Sequence, residues 1–347
     1  MDTAHYDYEL PRELIAQRPL GRRSDSRLMV VDRSSGQLEH HHFRDLPELL
    51  SAGDGLVIND TRVVPARLVG RRSDSGGRWE GLWLQADSGG FWRLICKCRG
   101  KLRIGERITL LDRDARDAAQ LWLVEQQDGG QWVALPETEE TTWELLERVG
   151  RVPLPHYIRG GEMVEEDRGH YQTVFADVPG SAAAPTAGLH FSASLLDELK
   201  DRGVEIVRAT LHVGLDTFRP IQAETLDEHR MHSEWCSLSA QAAARLRDAK
   251  QHGGRVVAVG TTSVRTLETA AAGREIEAWE GQTDLFIRPP YEFRAVDALV
   301  TNFHLPRSTL LVLVRTFGGE ALMRRAYEEA IREEYRFYSY GDAMLIV

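Results

Sequence analysis

Cysteine is scarce in this chain: Cys96, Cys98 and Cys236 are the only three in 347 residues. Three thiols cannot build a disulfide framework, and so few of them fit a reducing compartment, so a cytoplasmic protein is expected. Long apolar runs are missing as well. No stretch of about 18 apolar residues occurs, which leaves no candidate for a membrane-spanning helix and no membrane partner. The first residues, Met-Asp-Thr-Ala-His-Tyr-Asp, carry neither a basic nor an apolar stretch, so no secretory signal is expected there. The common nucleotide and hydrolase signatures are also absent. There is no Gly-x-Gly-x-x-Gly, no Walker A loop and no Gly-x-Ser-x-Gly elbow. Cys96 and Cys98 have no second pair, and strand alternation splits His40, His41 and His42 between two faces, so no metal site is expected.

What is present is the composition of a globular protein, 42% hydrophobic and 28% charged, long enough for two domains. The net charge of −10 argues against a generally sticky nucleic-acid binder. The charge is uneven, however. Between Arg62 and Arg107 stand eleven Lys/Arg against four acids. A local phosphate-contacting face within an acidic protein has this pattern, and Arg71, Arg72 and Lys101 are its candidate contacts.

The chain alternates between two textures. A helix is expected over Leu10–Gln17, a hairpin over Leu28–Phe43 turned at Ser34-Ser35-Gly36, and a buried strand over Gly55–Ile58. From Ala66 to Leu135 six short alternating strands (66–72, 78–85, 91–97, 106–111, 119–126, 130–135) are separated by Gly turns with no helix between them. After a helix at 141–149, strands and helices alternate again. Helices capped by Ser192 and Ser239, strands at 204–214 and 255–259, a strand around Leu285, another ending at Val300, and helices at 309–317 and 320–334 are expected. The fold class is therefore α/β: a discontinuous α/β domain (residues 1–64 plus 150–347) with an inserted small all-β, barrel-like domain (65–149).

Polar islands follow the apolar strands at Asn59–Arg62, Leu211–Thr217, Gly260–Arg265 and Thr301–Thr309, and a fifth, Ala184–His190, precedes a helix. Strands of one sheet can gather such loops at its carboxyl edge, where open α/β sheets bind ligands. Gly260-Thr261-Thr262-Ser263 at a helix start suits a carboxylate or phosphate. His190, His212 and His304 are acid/base candidates, since imidazole titrates near neutrality unaided. Asp60 and Asp342 are the carboxylates in the least solvated contexts.

Several stretches then fall into a recognisable order. They are Tyr8-Glu-Leu-Pro-Arg-Glu-Leu-Ile-Ala-Gln17, Ser26-Arg27-Leu28, Asn59-Asp-Thr-Arg62, Ala184-Pro-Thr-Ala-Gly-Leu-His-Phe191, Leu211-His-Val-Gly214, Gly260-Thr-Thr-Ser-Val-Arg265, Thr301-Asn-Phe-His-Leu-Pro306 and Tyr338-Ser-Tyr-Gly-Asp-Ala-Met344. Over nearly the full chain they resemble the S-adenosylmethionine:tRNA ribosyltransferase-isomerases of bacterial queuosine synthesis. That resemblance implies transfer and isomerisation of the ribosyl unit of S-adenosylmethionine onto 7-aminomethyl-7-deazaguanine at the tRNA wobble position. Epoxyqueuosine forms, and adenine and methionine leave. S-adenosylmethionine is then a co-substrate, tRNA the partner, and no metal or further cofactor is required.

On this reading His190 and His304 lead as acid/base residues, with Asp60 and His212 orienting them. Arg62, Thr186, Gly188, Gly214, Thr261, Thr262, Ser263, Arg265, Asn302, Ser308 and Asp342 are expected at the substrates, and the protein is expected to be a monomer or weak homodimer. The chain departs from the family pattern at Asp216, usually Gly; at His156, commonly Pro; and at Arg288 and Pro290, usually Tyr and Gly.

Overall fold

A computed structural model describes residues 1–214, 217 and 220–347. Asp216, one of the departures above, lies outside the described residues. The chain divides into two compact units. One holds Met1–Arg62, Pro155–Gly160 and Gly169–Val347, and the other Val63–Leu154 with Gly161–Arg168.

In chain order the elements are β1 (Arg27–Val31), β2 (Leu38–His42), α1 (Leu46–Leu49), β3 (Gly55–Asn59) and β4 (Thr61–Val63). Then come β5 (Arg67–Arg72), β6 (Arg78–Ala86), β7 (Trp92–Cys98), β8 (Arg107–Leu111), β9 (Asp117–Gln126), β10 (Gln131–Glu137) and α2 (Thr142–Val149). After α3 (Asp167–His170) and β11 (Val178–Ser181) follow α4 (Ala193–Asp201), β12 (Glu205–Leu211), β13 (Glu234–Leu238), α5 (Ala240–Gln251) and β14 (Val256–Val259). The chain ends with α6 (Gly260–Ala270), β15 (Trp279–Thr283), β16 (Ala298–Asn302), α7 (Thr309–Gly318), α8 (Glu320–Arg332) and β17 (Ala343–Ile346).

The larger unit is built on a nine-stranded sheet in the order β15-β13-β12-β3-β14-β16-β17-β1-β2. β12, β3, β14 and β16 run parallel, so their carboxyl ends share one edge. The central strands are apolar on both sides because helices cover both faces. Alternation sends Val57, Ala258, Leu299 and Met344 to a core shared with α6, α7 and α8, while Leu56, Ile58, Val257, Val259 and Val300 join Phe43, Phe191 and the Leu195–Leu199 face of α4. Ser192, Ser239 and Ser308 cap α4, α5 and α7 by accepting from the backbone N–H of Leu195, Ala242 and Leu311. The β2 edge carries the histidine run, with His40 bonded to the Tyr335 hydroxyl and His41 to Glu39.

The smaller unit is a closed antiparallel barrel, β10-β7-β6-β5-β8-β9. Inward positions of successive strands fill it: Leu68, Trp79, Trp83, Trp92, Leu94, Ile108, Leu110, Leu121, Leu123 and Trp132. Gly81 makes room for Trp79, since a Cβ there would lie 2.3 Å from the indole ring. Cys96 and Cys98 are free thiols on β7.

Two expectations need correction. Leu10–Gln17 forms only a single 3-10 turn, Arg12–Leu14. The strand-like tie of this segment to Phe337 takes the N–H of Ala16 and the carbonyl of Leu14 away from any helix. The strand placed around Leu285 lies earlier, at β15, and the Leu285 carbonyl accepts from the Arg265 guanidinium instead. β13, a strand not expected from the sequence, pairs with both β12 and β15.

Candidate active site

The islands after β3, β12, β14 and β16 do meet at the shared carboxyl edge. Asn59, buried at the end of β3, ties three of them. Its Nδ2 donates to the Leu211 carbonyl (3.0 Å) and to Thr262 Oγ1 (3.1 Å), and its Oδ1 accepts from the Leu211 N–H (3.0 Å). β14 passes straight into α6 at Gly260, whose φ of +86° is a conformation glycine adopts without strain. No side chain caps α6, so its first N–H groups are left for water or a ligand.

Two shallow clefts open here, of about 300 and 330 Å³ counted with their open mouths. Thr186, Thr217, Asn302, His304 and Leu310 line both. Gly260, Thr261, Thr262 and Thr301 complete one, and Ser308, Tyr157 and Tyr338 complete the other. Tyr338 holds a φ of +72°, a left-handed conformation that a non-glycine residue adopts only when its surroundings impose it.

The two leading histidines differ in what their ring nitrogens do. Asn302 Nδ2 also donates to the carbonyls of Tyr338 (3.2 Å) and Asp342 (3.4 Å), which fixes the amide's orientation. That same nitrogen donates to His190 Nε2 at 3.0 Å, so the His190 proton sits on Nδ1 and is donated to Ser26 Oγ at 2.8 Å. Ser26 Oγ in turn donates to the Arg23 carbonyl at 3.2 Å. His190 is stacked on Phe43 and both its nitrogens are committed. Burial, with Arg336 and Arg23 nearby, lowers its pKa to about 3.

His304 shares only Nε2, with Thr301 Oγ1 at 2.8 Å, and its Nδ1 has no partner among the described residues. Its backbone is pinned by two tyrosines: Tyr8 donates to its carbonyl, and its N–H donates to Tyr327 at 2.9 Å. Burial lowers its pKa to about 3 as well, so it is a neutral imidazole near pH 7. The Thr301 hydroxyl can serve either tautomer by rotating. One further atom at this site is orphaned, since Asn302 Oδ1 is buried with no donor.

The other expected residues fall into three groups. Thr186, Thr261, Thr262, Asn302 and Ser308 line the clefts. A second group is committed to the scaffold. Ser263 bonds back to the Val259 carbonyl (2.8 Å), and Gly188 packs so closely on Phe175 and Thr173 that a Cβ would lie within 3 Å of both. Both Asp342 oxygens accept backbone N–H groups, from Arg27 (2.9 Å) and Arg336 (2.8 Å). Arg265 is buried against Glu234 and also donates to the carbonyls of Leu285 and Thr283. Gly214 donates to Glu234 Oε1 at 2.7 Å, as does the Thr217 hydroxyl at 2.8 Å.

The third group does not line the clefts. Asp60 accepts from Thr210 Oγ1 (2.7 Å) and stands 3.7 Å from Arg208; desolvation raises its pKa. His212 bonds Thr61 Oγ1 (2.8 Å), stacks on Trp235, and has its pKa lowered by burial. Arg62 is exposed.

Glu234 and Tyr327 were not named from the sequence, and Thr301 and Tyr8, though within the quoted stretches, were given no role. Glu234 hides in β13, and the tyrosines act through the backbone of His304 from distant stretches of the chain.

In the barrel unit, Arg71 pairs with Asp117 (2.5 Å) and Arg72 with Glu106, while Lys101 is exposed with no side-chain partner.

Fold and site together define an α/β enzyme with a small-molecule cleft at the carboxyl edge of its sheet and an inserted barrel. The chain belongs to the queuosine biosynthesis protein family, whose model matches residues 3–346. It is 54% identical over 348 residues, the whole of both chains, to the S-adenosylmethionine:tRNA ribosyltransferase-isomerase of Symbiobacterium thermophilum. It is 44% identical over the same full span to that of Caldanaerobacter subterraneus subsp. tengcongensis. Its structure is similar to the crystal structure of S-adenosylmethionine tRNA ribosyltransferase from Thermotoga maritima, with 37% identity and a TM-score of 0.56, covering 99% of this chain and 100% of the other. Among the described residues no helix is long and apolar enough to cross a membrane.

Proposed function

We infer that this chain is an S-adenosylmethionine:tRNA ribosyltransferase-isomerase. It moves the ribosyl unit of S-adenosylmethionine onto the aminomethyl group of 7-aminomethyl-7-deazaguanine in tRNA, yielding epoxyqueuosine, adenine and methionine. The observation that carries this is the 54% identity over the full length of both chains to a relative of that activity.

The site's chemistry supports the same reading. A sulfonium acidifies the hydrogens next to it, so a base can remove one, and departing adenine needs a proton. His304, with one uncommitted nitrogen beside the cleft, is the residue we assign to moving these protons. His190 instead orients Asn302, whose Oδ1 accepts an N–H from substrate. The uncapped start of α6 offers backbone N–H groups to a polar group of the substrate. Acid/base groups suffice for these steps, so the reaction is assigned to side chains alone, with no metal or second cofactor. The cytoplasm is its site of action, as monomer or weak homodimer.

The barrel contributes an RNA-facing surface. Arg71 and Arg72 are occupied by acids, but Arg93, Lys97, Arg99, Lys101 and Arg103 are exposed and carry no acidic partner. Arg93 and Lys97 flank the exposed Ile95 on the outer face of β7. Glu80, across the ladder from Lys97, is already held by Arg67 and Arg78.

Incubation with S-adenosylmethionine and precursor tRNA tests the reading. Free adenine and methionine are expected. S-adenosylhomocysteine would mean methyl transfer, and no product would leave an RNA-binding protein.

A further inference from the structure

A third cavity, about 630 Å³ including its open mouth, lies next to the clefts in the same unit. It shares Ser339 with one of them, and His190 on its wall is hydrogen-bonded to Asn302, which lines the clefts. Two guanidinium groups line it, Arg23 and Arg336, and no carboxylate does. Arg23 donates only to backbone carbonyls, those of Gly169 and Gln172 (both 2.7 Å) and Leu189 (3.4 Å). Arg336 spends Nη2 on the Arg18 carbonyl, and its Nη1 is buried with no partner. Asp342 adjoins Arg336 and offsets part of its charge, but its oxygens are turned to the backbone N–H groups of Arg27 and Arg336, and Nη1 keeps no partner.

Carbonyls satisfy donors without neutralising charge. An arginine keeps its charge in proteins, so two half-buried guanidiniums on a cavity wall that holds no carboxylate favour an anion in the cavity. Burial pulls the pKa of both downward, and at Arg336 the Asp342 carboxylate offsets only part of that. The planar, many-donor guanidinium suits an oxyanion.

We propose that this cavity is an anion subsite of the active centre, in which Arg336 Nη1, aided by Arg23, holds an oxyanion of a substrate. Resting on the ribosyl-transfer reading, that oxyanion is either an RNA phosphodiester near the base being modified or the carboxylate of S-adenosylmethionine. A subsite here would anchor a substrate close to Asn302 and the clefts without touching His304. It also explains why a cavity wall built from residues far apart in sequence, Arg23 and Arg336, presents charge of one sign only.

The test uses the full-length protein with Arg336→Gln, and separately Arg23→Gln. Affinity for S-adenosylmethionine is measured without RNA, and affinity for precursor tRNA across a salt series. Loss of one charge-assisted bond is expected to weaken one substrate about 10- to 100-fold. Weaker tRNA binding with a salt slope smaller by roughly one identifies the phosphodiester. Weaker S-adenosylmethionine binding with an unchanged slope identifies the carboxylate. Inorganic phosphate should compete with the affected substrate on the wild type and much less on Arg336→Gln. Arg336→Lys, which keeps the charge but not the planar fork, should lie between the two and guards against a folding defect. Both affinities within twofold of wild type in folded Arg336→Gln would overturn the subsite. A wild type that releases no adenine would instead sink the ribosyl-transfer reading, while the phosphate competition would still report on the cavity.

Discussion

Replacing each of the two central histidines by alanine should have unlike consequences. In His304→Ala, the uncommitted Nδ1 disappears from the cleft, and with it the proposed proton carrier. A positioned acid/base group contributes about 10²- to 10⁴-fold to rate, or roughly 3–5 kcal/mol of barrier. Single-turnover release of labelled adenine, with saturating S-adenosylmethionine and precursor tRNA, should slow by that factor. In His190→Ala, Asn302 Nδ2 keeps the Tyr338 and Asp342 carbonyls, and Ser26 keeps the Arg23 carbonyl, so the site loses orientation but no chemistry. What is lost is a buried ring stacked on Phe43. The cost should fall on stability, about 2–4 kcal/mol for an aromatic-sized hole, with adenine release within about tenfold of wild type. Full activity in His304→Ala, or a hundredfold loss in a well-folded His190→Ala, would refute the assignment.

The same two histidines should shape the acid side of the stability profile. Each has a folded pKa of about 3 against about 6.5 when unfolded, so the unfolded chain binds the extra protons between those values. Stability should be complete above about pH 6.5 and fall as pH drops towards 3, with a slope of up to about 1.4 kcal/mol per pH unit from each. Urea midpoints of wild type and His190→Asn between pH 7 and 4.5 check this, and parallel curves would count against it. Glu234→Gln should cost about 3–5 kcal/mol, because it strands the buried Arg265 cation, and should also loosen Gly214 and Thr217; thermal melting reads the first effect. Glutamine at Arg93, Lys97, Arg99, Lys101 and Arg103 together should flatten the salt dependence of tRNA binding by up to roughly 3.5–4.5, since each lost phosphate contact removes about 0.7–0.9 from the slope. An unchanged slope would remove the barrel from RNA binding. Gly188→Ala places a Cβ 2.8 Å from the Phe175 ring and should destabilise by about 1–3 kcal/mol in denaturant melts.

Much of this molecule was open to reading along the chain, and the reason is local. Hydrophobic period, Gly turns and Ser caps are short-range features, so the six barrel strands, the hairpin at β1–β2, and the helices begun by Ser192, Ser239 and Ser308 fell close to where they were expected. The order of polar islands likewise pointed to one site, because parallel strands must deliver their carboxyl ends to the same edge.

What only the tertiary structure decided is which atom of each polar residue is spent and which is free. His190 and His304 are alike in sequence context, each a buried histidine in an island. They part because Ser26 and Asn302, 164 and 112 residues away from His190, occupy both nitrogens of one ring, whereas Thr301 occupies one nitrogen of the other. Arg71 and Arg72 stand within the basic run, yet Asp117, two strands away in the barrel, and Glu106, beside the adjacent strand, hold them, leaving the exposed row from Arg93 to Arg103. Leu10–Gln17 has a helix's spacing but was drawn to Phe337, over 300 residues on, because hydrogen bonds to a distant segment outweighed a weak local preference. Spacing along a chain determines which face a residue joins. Whether its donors and acceptors remain available depends on partners that only folding brings near.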